Sequence, residues 1–133
     1  MQHTIIDTEN IKIIFSKDEA AMLNIALAGP AFDEDAYNRV QNLENWDESK
    51  TKKFNEFFLK EWHATQKKHL DIFLSKEELS FLIAIHEDAM EELGLQEYPC
   101  ITGYSINEAE DFLKNLLFIM HEFESLSMTT QKP

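Results

Sequence analysis

Histidine and cysteine side chains are the first candidates in this sequence for binding a metal or acting as a nucleophile. They are His3, His63, His69, His86, His121 and Cys100. No two histidines have the H-E-x-x-H spacing of a zinc site, and neither His86 nor His121 has the Glu three residues earlier that di-iron bundles use. We therefore expect the protein to hold neither a metal nor another cofactor.

Cys100 follows Pro99 in a segment predicted as a loop, where a thiol could react with help from a histidine of another element. A lone cysteine is more often an inert packed side chain. The sequence has no G-x-S-x-G, Walker A or G-x-G-x-x-G motif. We therefore predict no catalytic activity, and a small enzyme using Cys100 or a His/Glu cluster stays an alternative.

Carboxylates are the most abundant charged groups. The 133 residues include 25 acidic and 12 basic side chains, which gives a net charge of −13. Phosphate backbones and anionic membrane surfaces repel such a chain, so we expect a basic protein partner and neither direct nucleic-acid nor membrane binding. No apolar run approaches the roughly 18 residues of a membrane span, and the N-terminus lacks a signal-peptide pattern, which predicts a cytoplasmic protein.

The acids are concentrated in the second half of the chain. Residues 77–113 contain ten acids and no Lys or Arg. Within a predicted helix, Glu87/Glu91 and Asp88/Glu92 are like-charge i,i+4 pairs, each of which destabilises the helix by roughly 0.2 to 0.5 kcal/mol. A surface that only confers solubility explains one acidic helix, but the length of this stretch favours a binding surface.

The predicted partner-binding residues come from this stretch. They are the acids Glu87, Asp88, Glu91, Glu92 and Glu97 and the tyrosines Tyr98 and Tyr104. The acids would attract and orient a basic partner, and the tyrosines would be its aromatic anchors.

Three S-x-x-E capping boxes predict where helices that carry these residues begin. In such a box the Ser side chain accepts from the Glu backbone N–H, and the Glu side chain accepts from the Ser backbone N–H. The predicted helices are 17–28 after Ser16, 76–93 after Ser75 and 106–124 after Ser105. Gly29-Pro30 and Gly94 should end the first two helices, and a loop should follow over 95–104.

Further elements follow from hydrophobic spacing. An aromatic stripe with helical spacing predicts a long core helix over 49–69, and an acidic start predicts a helix over 33–44. Short β-rich runs over 4–6 and 11–15 predict an N-terminal hairpin, with which the run 72–74 could pair. Three Gly and three Pro leave too little turn material for an all-β fold.

Two stretches of the sequence recur. Residues 14–19 match 73–78, and residues 35–43 match 108–116, although two common capping patterns could coincide by chance. The repeat predicts two helical hairpins about a pseudo-two-fold axis. We therefore predict a mainly α fold, a compact bundle of about five helices around a long central helix with a minor N-terminal β-hairpin. The predicted domain spans 1–124, and 125–133 form a flexible tail.

The string LSKEEL at 74–79, with the Gly turn at 102–105 and Glu108-Ala109, is similar to small helical bacterial proteins. Some small acidic proteins of this size are immunity proteins to secreted toxins, and the likeness covers 72–117. It implies direct complex formation with a toxin domain. Because a nuclease must be basic to hold its substrate, we expect an immunity protein against a nuclease-type toxin. The alternatives are a nucleic-acid mimic that inhibits a defence protein and the small enzyme described above.

Overall fold

The structure, a computed structural model, describes residues 1–32, 35, 38, 47–64 and 69–130. The predicted helix over 33–44 therefore lies almost wholly outside the described residues. The strands are β1 (Gln2–Ile5), β2 (Asn10–Ser16) and β3 (His69–Ser75). The helices are α1 (Lys17–Phe32), α2 (Glu48–Ala64), α3 (Lys76–Thr102) and α4 (Ile106–Thr130).

The three strands form one antiparallel sheet in the order β1-β2-β3. Buried and more exposed residues alternate along β2 and β3, as expected for a sheet with one face on the core. The buried residues are Ile11, Ile13 and Phe15 of β2 and Leu70, Ile72 and Leu74 of β3. The predicted N-terminal hairpin and the pairing of its second strand with 72–74 are confirmed.

The register between β2 and β3 follows the sequence repeat. The repeat makes Ile72 the counterpart of Ile13, and these two residues pair directly at the centre of the ladder. Ser16 and Ser75, which are also counterparts, end the strands at opposite ends of this ladder and begin α1 and α3. A local two-fold axis between Ile13 and Ile72 therefore relates the two strand–helix units.

The helices are arranged in the order α2-α1-α3-α4. Helix α1 packs against α2 and α3, and α3 also packs against α4. The predicted bundle of about five helices around a long central helix is therefore wrong: the described residues form four helices and a three-stranded sheet. The aromatic helix expected at the centre is α2, which lies at one end of the row. Strand pairing brings α1 and α3 to the centre because each follows a central-ladder strand directly.

All three predicted capping boxes are present. The Ser amide and the Glu carboxylate are 2.7 Å apart at Ser16/Glu19 and at Ser75/Glu78, and 3.4 Å apart at Ser105/Glu108. The reciprocal bond from the Glu amide to the Ser hydroxyl measures 3.1 Å in each box. The starts of α1, α3 and α4 are therefore confirmed.

The predicted helix ends are less accurate. Helix α1 continues through Gly29-Pro30 to Phe32, because a proline removes one backbone donor without necessarily ending a helix. Helix α4 continues beyond Glu124 to Thr130, and its sequence has no Gly or Pro that would stop it. Helix α2 ends at Ala64, and His69 already belongs to β3.

Helix α3 contains a break at Gly94. This residue has φ 72° and ψ −176°, which confirms the predicted interruption. The segment after it is helical as far as Thr102, so the predicted loop over 95–104 is wrong. Gly103, with φ 80°, caps this second segment and its N–H donates to the Pro99 carbonyl at 2.9 Å.

Candidate protein-binding surface

The ten acids of residues 77–113 differ in what they contact. Glu77 accepts a hydrogen bond from Lys50 Nζ at 3.2 Å. Glu78 and Glu108 complete the capping boxes of α3 and α4. Asp88 also takes part in an interaction within the chain, as does Glu92. These five carboxylates therefore have roles within the fold, and this group includes two of the predicted partner-binding acids.

The other five acids are exposed and have no partner within the part of the chain that the structure describes. We call them the acidic surface: Glu87, Glu91, Glu97, Glu110 and Asp111. Glu87 and Glu91 are one turn apart on α3. The His86 ring lies 2.9 Å from the Ala109 carbonyl of α4, so the next residues, Glu87 and Glu110, lie at the same level of neighbouring helices. Glu97 belongs to the segment after Gly94, and the charge of Glu108 at the start of α4 acts on the neighbouring Tyr98. The predicted acids Glu87, Glu91 and Glu97 therefore lie toward the end of α3 that meets the start of α4.

Exposed apolar side chains accompany these acids. Leu95 is 73% exposed and Ile101 is 61% exposed, and both belong to the helical segment after Gly94 that also carries Glu97. Large apolar residues amid polar ones are typical of binding surfaces. Sequence reasoning missed these two residues because it placed them in a loop. Their signal was an apolar residue on either side of Tyr98 at three-residue spacing.

The two predicted tyrosine anchors were expected to be exposed beside the acids, but Tyr98 is buried and Tyr104 is partly buried. Tyr98 is only 1% exposed, and burial, with a contribution from the charge of Glu108, raises its pKa to about 12. It is a core residue because Tyr98 and Thr102 form the buried side of the second segment of α3. The assignment of Tyr98 as a surface anchor is therefore corrected.

Tyr104 is partly buried beyond the end of α3. Its hydroxyl donates to Asp18 Oδ1 at 3.2 Å, which ties the α3–α4 connection to the first turn of α1. Burial and this hydrogen bond both raise the pKa of Tyr104. The side chain already has a structural contact, and only its remaining exposed part is available to a partner.

His86 has a structural role between α3 and α4. It is fully buried, its Nε2 is 2.9 Å from the Ala109 carbonyl, and its ring meets the edge of Phe112 at a centroid distance of 5.0 Å. Donation from Nε2–H leaves Nδ1 as an acceptor, and this buried atom has no hydrogen-bond partner. Burial lowers the pKa of His86, so the ring is neutral at pH 7.

The alternative of a small enzyme concerns the histidine, cysteine and acidic side chains. Within the described ranges, no three His, Cys, Asp or Glu side chains converge on a point that could hold a metal ion. Cys100 is exposed. A groove of about 480 Å³ between α2 and the start of α3 is lined by lysines, phenylalanines and acids, and by neither a histidine nor a cysteine.

Comparison of the chain with protein-family models, with curated proteins and with solved structures gives no match. None of the helices over the described ranges is both long enough and apolar enough to cross a membrane.

Proposed function

We propose that the protein binds a basic protein partner through the acidic surface. The observation that carries this proposal is the set of five exposed carboxylates that no described residue neutralises, in a stretch without Lys or Arg. Unpaired charges of one sign repel each other and gain from a partner of the opposite sign. They also attract that partner over a distance, which raises the association rate.

The apolar residues beside the acids supply the short-range part of such a contact. Charges at the rim of an interface mainly affect the association rate, whereas buried apolar anchors determine how long the complex lasts. Leu95 and Ile101 are exposed, and they lie before and after Glu97 in the helical segment that follows Gly94. In this proposal they replace Tyr98 as the anchors.

The partner that best fits this chemistry is a nuclease-type toxin domain, which the protein would neutralise as an immunity protein in the cytoplasm. A nuclease holds a polyanion and needs a cationic surface near its active site. An acidic protein can therefore cover that surface without resembling the substrate in chemical detail. The cytoplasm is where such a toxin would meet the nucleic acid of a bacterial cell.

The test uses the gene next to the one for this protein, because immunity and toxin genes are expected to be neighbours. If the adjacent product has a basic C-terminal domain, that domain is purified and its cleavage of DNA and RNA is measured with and without this protein. Stoichiometric inhibition in a stable complex supports the proposal. Full nuclease activity in the presence of excess protein would contradict it.

A nucleic-acid mimic would use the same carboxylates in place of phosphates. It predicts that a catalytically inactive variant of the basic domain releases the protein when duplex DNA or RNA is added in excess. An immunity protein that binds beside the active site stays bound under these conditions. Retention of the protein in excess nucleic acid therefore excludes the mimic, whereas release shows that the protein and the nucleic acid share a site.

A further inference from the structure

Helix α4 carries a large apolar side chain on its solvent side. Phe118 is 66% exposed, although the residues that α4 buries repeat with normal helical spacing. At about 100° per residue, Phe118 is rotated by about 200° from the fully buried Leu116, so it lies opposite the core. No rearrangement of the side chain can bring it into the core. Leu117, which is 46% exposed, lies beside it.

Opposite charges flank Phe118 along the helix. Lys114 lies one turn before it and Glu122 one turn after it, on the same side of α4. Lys114 is the only Lys or Arg of α4, and it has no partner within the described part of the chain. Glu122 contacts His3 Nε2 at 3.0 Å through one carboxylate oxygen, and its side chain is half exposed. The order along the helix is therefore cation, aromatic ring, anion.

We propose that this face of α4 binds the same face of a second copy of the chain. An antiparallel contact with a two-fold axis at Phe118 places the two Phe118 rings together. It also brings each Lys114 against Glu122 of the other copy, so both pairs have opposite charges. A parallel contact would place lysine against lysine, so the order of charges selects the antiparallel one. Two-fold contacts of this self-complementary kind are the commonest in protein dimers.

The same face is a poorer site for a basic partner, because Lys114 would repel it.

The net charge of −13 on each copy opposes dimerisation, but charges more than about 8 Å apart are largely screened at physiological ionic strength. A contact made by one helix face is smaller than the roughly 1,200 Å² of a stable complex, so the dimer is expected to be weak and concentration-dependent. The dimer contact uses none of Glu87, Glu91 and Glu97. Asp111 is the member of the acidic surface that lies on this side of α4, two turns before Phe118, and the dimer needs no contact from it, so the dimer does not depend on the proposed function.

Sedimentation velocity from about 5 µM to about 1 mM tests the proposal in a range suited to weak dimers. The wild type should shift from monomer to dimer across this range, and Phe118→Ser should stay monomeric. Phe73→Ser is the matched control, because Phe73 is 62% exposed on the outer face of the sheet, away from α4. This control should dimerise like the wild type, and circular dichroism checks that each variant is folded.

Charge reversal gives the sharpest result. Lys114→Glu alone and Glu122→Lys alone should each weaken the dimer, because each places like charges together in both pairs. An equimolar mixture of the two variants should form a mixed dimer, since every pair then has opposite signs. Recovery in the mixture supports the proposal. A monomeric wild type up to the highest concentration, or a mixture no better than its components, would overturn it.

Discussion

Acidification should destabilise the protein through His86. The ring is fully buried, and burial lowers its pKa from the usual 6.5, while its contacts on α4 are the Ala109 carbonyl and the Phe112 ring. Below pH 6.5, His86 becomes protonated in the unfolded chain, whereas it stays neutral in the folded protein until the pH reaches its lowered pKa. The unfolded state then binds more protons, so the free energy of unfolding falls as the pH falls.

The loss of unfolding free energy on acidification is limited because the unfolded and folded states differ by at most one proton at His86. The slope cannot exceed about 1.4 kcal/mol per pH unit, and it applies between pH 6.5 and the lowered pKa of the folded state. Above pH 6.5 the contribution of His86 is complete and constant. Small domains have an unfolding free energy of only about 5 to 15 kcal/mol. The loss over one pH unit is therefore a measurable fraction of that free energy.

Urea unfolding at intervals from pH 7.5 to pH 5 measures this slope. His86→Gln keeps an N–H donor for the Ala109 carbonyl but cannot take up a proton, so it should lose less stability than the wild type on acidification. His121→Gln is the control, because His121 is exposed on α4. Equal pH dependence for the wild type and His86→Gln would show that other groups account for the whole effect and that His86 contributes none of it.

Further substitutions test the fold and the surface by urea unfolding and by binding. Gly94→Ala should cost on the order of 1 to 3 kcal/mol, because nothing lies within 4 Å of the added Cβ and the cost is backbone strain at φ 72° and ψ −176°. Ser75→Ala should cost about 0.5 to 2 kcal/mol through loss of the α3 cap. Tyr98→Ala should cost about 3 to 5 kcal/mol, as expected for a buried aromatic residue. Leu95→Ser should change stability by less than about 0.5 kcal/mol yet weaken binding of the toxin domain at least several-fold.

The features that the sequence predicted well depend on neighbours in the chain. A capping box joins residues only three positions apart, so Ser16, Ser75 and Ser105 marked their helices correctly. The short β-rich runs over 11–15 and 72–74 likewise marked β2 and part of β3. These signals need no knowledge of the rest of the fold.

The errors concern features that distant parts of the chain decide. The order of the helices depends on the pairing of Ile13 with Ile72, which no local pattern specifies. Whether a helix continues after a Gly or Pro depends on what its next residues can bury. Tyr98 was assigned to the surface because a loop was expected after Gly94. The segment is helical instead, and the burial of Tyr98 and Thr102 stabilises it.

The candidate site was predicted in part. Charge counting located the acid-rich stretch, but it could not separate the acids that pair with distant residues of the chain from those left exposed. Glu77, for example, lies beside Glu78 in the first turn of α3, and only its 3.2 Å contact with Lys50 Nζ of α2 shows its role. The contacts in the structure leave five of the ten acids of residues 77–113 exposed and without a partner among the described residues.

In the proposed function, the exposed acids of α3 attract the basic partner. The most direct measurement is the stopped-flow association rate with the basic domain encoded by the adjacent gene, at low and moderate salt. The triple variant Glu87→Lys, Glu91→Lys, Glu97→Lys is compared with a control that reverses three other exposed acids, Glu9, Glu56 and Glu124, and so has the same net charge. We predict that the first variant associates at least about tenfold more slowly and with less salt dependence, while the control stays close to the wild type. Equal rates for the two variants would mean that only the overall charge matters and that the acids of α3 have no special part in attracting the partner.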